Sequence, residues 1–412
     1  VRSSRALGSI LLALATAEAG VRLLKPRKPL IAPEPVDLRT YFSDAEITRG
    51  RKYARPQLAL ALARSAVEGA ALASLVRRPP RWLTPPSSVP LPVAGGLGAA
   101  GLVTALSVPP LPLSVISRRR AIKVGLVTQS WRGWAGDLVK ANAIGAVMAG
   151  AAGAGVVAVT RRYPRTWWAP AAAGSVVFGA LLAAVAPVVL DPIFNDFTPL
   201  PEGETRSDVL DLARAAGVKV REVYSVDASR RTTAANAYVT GLGPTKRVVL
   251  FDTLLDRYNR EEIGVVVAHE LAHVQGRDVP RGVVYAAIVA PATAFAVQRL
   301  SWALSPERGT AAALPALAMA TGLVSVPVGL IGNRLSRAVE RRADQVSLEL
   351  TGASDAFVSF ERTIALQNVA DLDPPRWLTS VMATHPSTAE RIGAALGYAK
   401  NGGPQGPPLN GR

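Results

Sequence analysis

The sequence predicts a mainly α polytopic membrane protein with about seven transmembrane helices and one inserted α+β layer that carries a small β-hairpin sheet. Three observations lead there. Hydrophobic residues make up 49% of the 412, aromatics only 6%, and mean hydropathy is positive at +0.22, so the apolar content is the Ala, Val and Leu of packed membrane helices with small residues at their contacts. Apolar runs of about 20 residues recur, the length of helix that crosses a hydrocarbon core of about 30 Å. One long stretch between the fifth and sixth runs instead mixes helical spacing with short β-branched segments and turn residues.

The apolar runs are Ala6 to Leu24, Pro56 to Val76, Val89 to Ile116, Ala141 to Thr160, Thr166 to Leu190, Val283 to Ala303 and Thr310 to Ile331. The first is read as a retained span, because no small-residue cleavage site follows it and Glu18 interrupts it. The second holds Arg64 and Glu68 four apart, which pair on one face or line a wet cavity, since ionisable groups at the bilayer centre are costly. Lys and Arg concentrate between the first two spans, from Lys25 to Arg55, and between the third and fourth, from Arg118 to Lys140. The positive-inside rule makes those loops cytoplasmic, with the N-terminus outside and the C-terminus inside. The expected organisation is a five-span membrane region over 1–190, a cytoplasmic layer over 191–280, two spans over 281–331, C-terminal helices over 332–400 and a flexible Gly/Pro-rich tail over 401–412.

Composition also excludes function classes. With no cysteine there is no disulfide framework, thiolate metal site or cysteine nucleophile. The net charge of +17 invites a nucleic-acid partner, but the basic residues sit in loops between spans without the interleaved aromatics of a base-stacking surface, so none is expected. A serine hydrolase is set aside for want of a G-x-S-x-G elbow.

Within the layer, a helix is expected from about Glu204 to Ala216, closed by Gly217. β-branched runs follow around Val220 to Val226, Tyr238 to Val239 and Val248 to Phe251, with Gly241, Gly243 and Pro244 turning the last two into a hairpin. Asn259 with Glu262 forms a capping-box signature that opens a helix running to Gly276.

That helix contains His269-Glu270-Leu271-Ala272-His273. Residues four apart share a helix face, so both imidazoles reach one tetrahedral Zn2+ while Glu270 reaches its water as general base. Two of the chain's three histidines fall at this spacing, and a single zinc per chain is expected. A third ligand six residues beyond His273 would be Val279, so it must come from elsewhere. Downstream, Glu340 and Asp344 are also four apart on a helix-like run. They suit a carboxylate ligand with a second carboxylate holding a ligand imidazole, or equally a solvated face paired with the neighbouring arginines.

The ordered blocks DPIFNDFTPLPEGE from Asp191, VDASRRTTAANAYVTGLGPTKRVVLFDTLL from Val226, AHELAHVQGRD from Ala268, ERRAD from Glu340 and THPSTAERI from Thr384 resemble the type I CAAX prenyl protease family of integral-membrane zinc metalloproteases and their bacterial relatives. The resemblance implies helices that enclose a chamber with a zincin-type catalytic layer at its cytoplasmic end, Glu340 as third ligand and Asp344 as its support among the catalytic residues. It also favours a functional reading of His385, which stands just before a Ser387/Glu390 capping box, as oxyanion donor rather than a structural histidine. Asn236, Ala237 and Tyr238 begin a strand that is either an ordinary hairpin member or an edge on which a peptide binds as an added strand.

The function these features predict is hydrolysis of peptide bonds in membrane or membrane-associated peptides, by an enzyme in the cell's inner membrane with its site on the cytoplasmic side and the bilayer and a peptide as partners. CAAX processing is what the resemblance implies; nothing in the residues selects that substrate or an oligomeric state. The alternatives are a stress-type protease of membrane protein quality control, which the HVQGRD segment resembles, and a non-catalytic membrane binding or chaperone protein.

Overall fold

The computed structural model describes residues 2–84, 86, 88–241 and 243–403. The expected tail therefore lies outside the described residues from 404 onward. The membrane part begins with α1 (Arg2–Leu24) and α2 (Asp44–Arg77), followed by α3 (Leu91–Ser107), α4 (Leu111–Lys123), α5 (Trp131–Arg162), α6 (Trp168–Val185) and the short α7 (Asp191–Phe194). The layer comprises β1 (Phe197–Pro199), α8 (Glu204–Ala215), β2 (Glu222–Val226), β3 (Ala237–Thr240), β4 (Arg247–Phe251), α9 (Asp252–Leu255) and α10 (Arg260–Gln275). Then come α11 (Asp278–Leu304), α12 (Leu314–Thr351), α13 (Ser354–Gln367), α14 (Arg376–Val381) and α15 (Thr388–Lys400).

Six helices are long and apolar enough to cross a membrane, or seven when the pair α3 and α4 counts as one span. That pair corrects the third predicted span. The chain bends by 51° between them, where Pro109 and Pro110 remove backbone donors and clash with the preceding turn. The second span is corrected at its start. Ser43 and Glu46 close a capping box there, so α2 begins ahead of Pro56 and carries that proline inside it. Arg64 and Glu68 do not pair among the described residues, and Arg64 Nε is buried without a partner.

Each spanning helix touches a neighbour, from α6 to α5, α5 to α3, α3 to α12, α12 to α11 and α11 back to α6, with α1 against α11 and α12 and α2 against α12, α3 and α4. The contacts close a ring. Its walls pack along two separate seams rather than one core. In the first, Ala13, Ala17, Ala296, Ala320 and Val324 bring α1, α11 and α12 together. In the second, α3 meets α5 through glycine. A Cβ at Gly153 would stand 2.6 Å from Gly95 O, and one at Gly95 would stand 2.9 Å from Gly153 O, so only small residues allow these backbones to approach as closely as membrane helices do.

The layer packs its own core. Val209 and Leu212 of α8, Val223, Val248 and Leu250 of the sheet, and Ile263, Val267 and Leu271 of α10 are all nearly inaccessible. Burying that apolar surface is what holds the sheet against α10. The hairpin β3–β4 is antiparallel as the turn residues require, but the sheet is larger than a hairpin. Its order is β1-β2-β4-β3, with β2 parallel to β4 and the three-residue β1 antiparallel to β2. The run Phe-Thr-Pro is too short for any alternation to be read from it.

Candidate metal centre

The helix α10 starts where Asn259 accepts from Glu262 N and Glu262 returns a bond to Asn259 N. Glu262 also accepts from Ser359 Oγ of α13 at 2.6 Å, so the cap is tied to a neighbouring helix. Val265, Val267, Ala268, Leu271 and Ala272 bury the helix on its other faces. Only the face carrying His269, Glu270 and His273 is left toward a cleft, and their ligand-type atoms lie within 4.8 Å of one another.

The second contributing helix is α12, and it departs from expectation in a useful way. No break follows the seventh span: α12 runs 38 residues with Pro327 inside it, so the segment bearing Glu340 and Asp344 continues the membrane helix into the layer and fixes the layer to the ring. Glu340 Oε2 stands 3.3 Å from His269 Nε2, and its Oε1 stands 3.6 Å from His273 Nε2. The two Nε2 atoms are 3.1 Å apart. Ligands held at about 2.0–2.1 Å from a tetrahedral ion are separated by about 3.3 Å from each other, so these three groups have the spacing of such a set. The donor set, two imidazoles and a carboxylate, also has the chemistry of a catalytic zinc site that keeps an open position.

Both imidazoles are held from behind. His269 Nδ1 lies 2.9 Å from Asp344 Oδ1, a close polar contact rather than a linear hydrogen bond. His273 Nδ1 lies 3.0 Å from Asp278 Oδ2. Carboxylates at Nδ1 favour the tautomer that turns Nε2 toward a metal. Each carboxylate is in turn gripped by an arginine. Arg391 of α15 donates from Nε and Nη2 to Asp344 at 3.0 and 2.6 Å, and its Nη1 lies 2.5 Å from Glu361 Oε1. Arg342 donates from Nη2 to Asp278 Oδ2 at 2.6 Å and to Ala272 O at 3.0 Å. Gly276 serves this contact: a Cβ there would meet the Arg342 guanidinium at 2.0 Å. Its φ of −75° is ordinary, and the left-handed residue that turns α10 into α11 is Arg277.

The charges are strongly coupled. Burial works to raise the Asp344 carboxyl, but Arg391 and His269 hold it well below the usual range. Glu361 goes the other way: burial pushes it up to about 7 against the pull of Arg391, and the neighbouring charge of Asp344 adds to the rise. Burial likewise raises the Glu270 carboxyl, against the opposing pull of His269 and His273, which is the direction a general base needs.

A cleft of about 330 Å³ runs beside this site, lined among others by Asn236, His269, Glu270, Glu361, His385 and Arg391. His385 Nε2 is 3.6 Å from Glu340 Oε2, and its side chain is 63% exposed, which places it at the mouth rather than in the protein interior. The second expected capping box forms only in half. Ser387 accepts from Glu390 N, while the Glu390 carboxylate is taken by Arg341. Of the three strand residues, Asn236 reaches the cleft; Ala237 is buried, and the Tyr238 hydroxyl turns to Asp191 at 3.5 Å. Asp278, Arg342, Glu361 and Arg391 were not singled out from sequence. The available signals were the Asp five residues after His273 and the Arg next to last in the THPSTAERI block that contains His385.

Residues 199–399 match the sequence model of peptidase family M48, and residues 100–196 match that of the CAAX prenyl protease N-terminal region, five membrane helices. The chain is 32% identical over 311 residues to the uncharacterized metalloprotease YhfN of Bacillus subtilis (strain 168), covering 73% of this chain and 72% of that one. The chain belongs to peptidase family M48. This M48 peptidase is also 29% identical over 231 residues to the probable CAAX prenyl protease 1 of Schizosaccharomyces pombe, although the match spans only 48% of that protein. Its fold is that of the S. mikatae Ste24p crystal structure, with a TM-score of 0.77 over 96% of this chain and 98% of that one at 21% identity. The family makes it a multi-pass membrane metalloprotease, and a metal ion, typically zinc, belongs to that chemistry.

Proposed function

We propose that His269, His273 and Glu340 hold one zinc per chain, that Glu270 is the general base, and that the enzyme cleaves peptides presented at the membrane surface. One observation supports the assignment: three ligand groups whose facing atoms lie 3.1–3.6 Å apart, with both imidazoles backed by carboxylates. When bound, zinc supplies Lewis acidity that lowers the pKa of a water and polarises the scissile carbonyl. Glu270 then accepts the proton of the attacking water and delivers it to the leaving amine. Asp344 and Asp278 keep the imidazoles in the ligating tautomer. His385, at the mouth of the cleft, is placed to donate to the carbonyl oxygen as negative charge develops on it.

The peptide is proposed to add as a strand to β3, since β3 ends the sheet order β1-β2-β4-β3 and one of its edges has no partner strand among the described residues. Asn236 lies where that edge enters the cleft. Backbone pairing would align any extended peptide, so sequence selectivity must come from the cleft. The relatives named CAAX prenyl protease 1 support a prenylated peptide as one proposed substrate class. Loop charge orients the layer to the cytoplasmic side of a bacterial inner membrane.

Metal analysis of Glu340→Ala tests the ligand set. The variant should retain its fold and bind zinc at least 10-fold more weakly than wild type; unchanged occupancy at limiting zinc removes Glu340 from the set.

A further inference from the structure

A second cavity, of about 580 Å³, opens at the end of the helix ring remote from the metal centre. Arg299 lies about 21 residues beyond Asp278 along α11, which is about 30 Å at 1.5 Å per residue and matches the thickness of the hydrocarbon core. The cavity thus sits at headgroup level on the face opposite the catalytic layer. Four guanidinium groups line it, those of Arg5, Arg161, Arg299 and Arg308, against the single carboxylate of Glu307. No ion pair engages Arg5, Arg161 or Arg299 among the described residues. Arg299 and Arg308 both lie over the Trp302 ring, at 5.6 and 5.5 Å, which holds two cations at one edge. The floor is apolar and closed by Val157, Trp167, Leu314 and Ala316, all buried.

Arg5, Arg161 and Arg299, which no ion pair engages among the described residues, repel one another, and a phosphodiester accepts two donors from a guanidinium. An apolar floor beneath that cationic rim suits an amphiphile better than a free ion, because a headgroup phosphate can meet the guanidinium groups while an acyl chain covers the floor. We propose that this cavity binds the phosphate headgroup of an anionic phospholipid, with acyl chain against Val157, Leu314 and Leu317. The site is independent of the metal centre and of the protease reading.

The test is native mass spectrometry of the full chain in detergent, titrated separately with dioleoylphosphatidylglycerol, dioleoylphosphatidylcholine and inorganic phosphate. Wild type should retain phosphatidylglycerol at least 10-fold more tightly than phosphatidylcholine, and inorganic phosphate should not displace it. The double variant Arg161→Ala/Arg299→Ala should lose about 30-fold in phosphatidylglycerol affinity, roughly fivefold per charge. Arg77→Ala/Arg78→Ala, which removes two charges from the end of α2 outside the cavity, should leave that affinity unchanged. Equal retention of the two lipids by wild type overturns the proposal without reference to any variant. So does undiminished binding in the cavity variant, or an equal loss in the α2 variant. Displacement by inorganic phosphate at matching affinity would make the site one for a free anion and overturn the lipid assignment.

Discussion

The residue that best shows how the centre is held is Arg391. It grips Asp344, which stands against His269, and it faces Glu361 on its other side. Two carboxylates share one guanidinium in a dry site, so one of them keeps its proton more readily. Glu361 is raised from its ordinary 4.5 to about 7. Between those values the folded state binds more protons than the unfolded one, so this group makes stability fall as pH rises through that window. Glu361→Gln removes the titration, and the wild-type Tm should drop relative to the variant between pH 5 and pH 8. The expected difference is on the order of 3 kcal/mol at most. Thermal unfolding of both proteins across that range checks it, and parallel curves would contradict it. His269, Glu270 and His273 were legible because helix periodicity alone places them on one face. Arg342 and Arg391 were not, since each acts across a fold contact that no spacing encodes, while Asp278 lies five residues past His273 at the start of α11, outside the periodicity of α10.

At the scale of elements, the sequence distinguishes what is locally punctuated from what is continuous. The capping box at Asn259 and the turn glycines before β4 mark α10 and the hairpin closely. The break between α3 and α4 and the run of α12 through Pro327 were less legible. A proline ends one apolar run and is absorbed in another, according to whether neighbouring helices re-satisfy the freed carbonyl. The contact of α3 with α5 is the element-level feature most open to test. Gly153 lies so near Ala99 that an added Cβ would stand 2.3 Å from the alanine Cβ. Gly153→Leu should therefore lower Tm by an amount equivalent to roughly 1–3 kcal/mol, the cost of overpacking. Because this seam lies outside the core of the layer, the folded fraction should keep its zinc. A Tm equal to wild type would mean that the helices do not meet as described.

For the whole molecule, the ring of membrane helices and the catalytic layer are joined by α11 and α12, which leave and enter the metal site directly. The membrane character was legible from hydropathy and length, while the closure of the ring was not, because it depends on which helices touch. The sidedness that the loop charges predict is testable in a chain without native cysteine. Single cysteines at Ser88 and Ser207, both exposed, should label from opposite sides of the membrane, with Ser207 cytoplasmic; labelling from one side would break the predicted topology. In the proposed mechanism this architecture presents a water to Glu270. Glu270→Gln measures it most directly, through zinc content and cleavage of a membrane-associated peptide by the same preparation. The variant should hold wild-type zinc with cleavage reduced by about 10⁴-fold or more, since one carboxylate serves as both proton acceptor and donor. Cleavage at near the wild-type rate, still abolished by chelator, would contradict it.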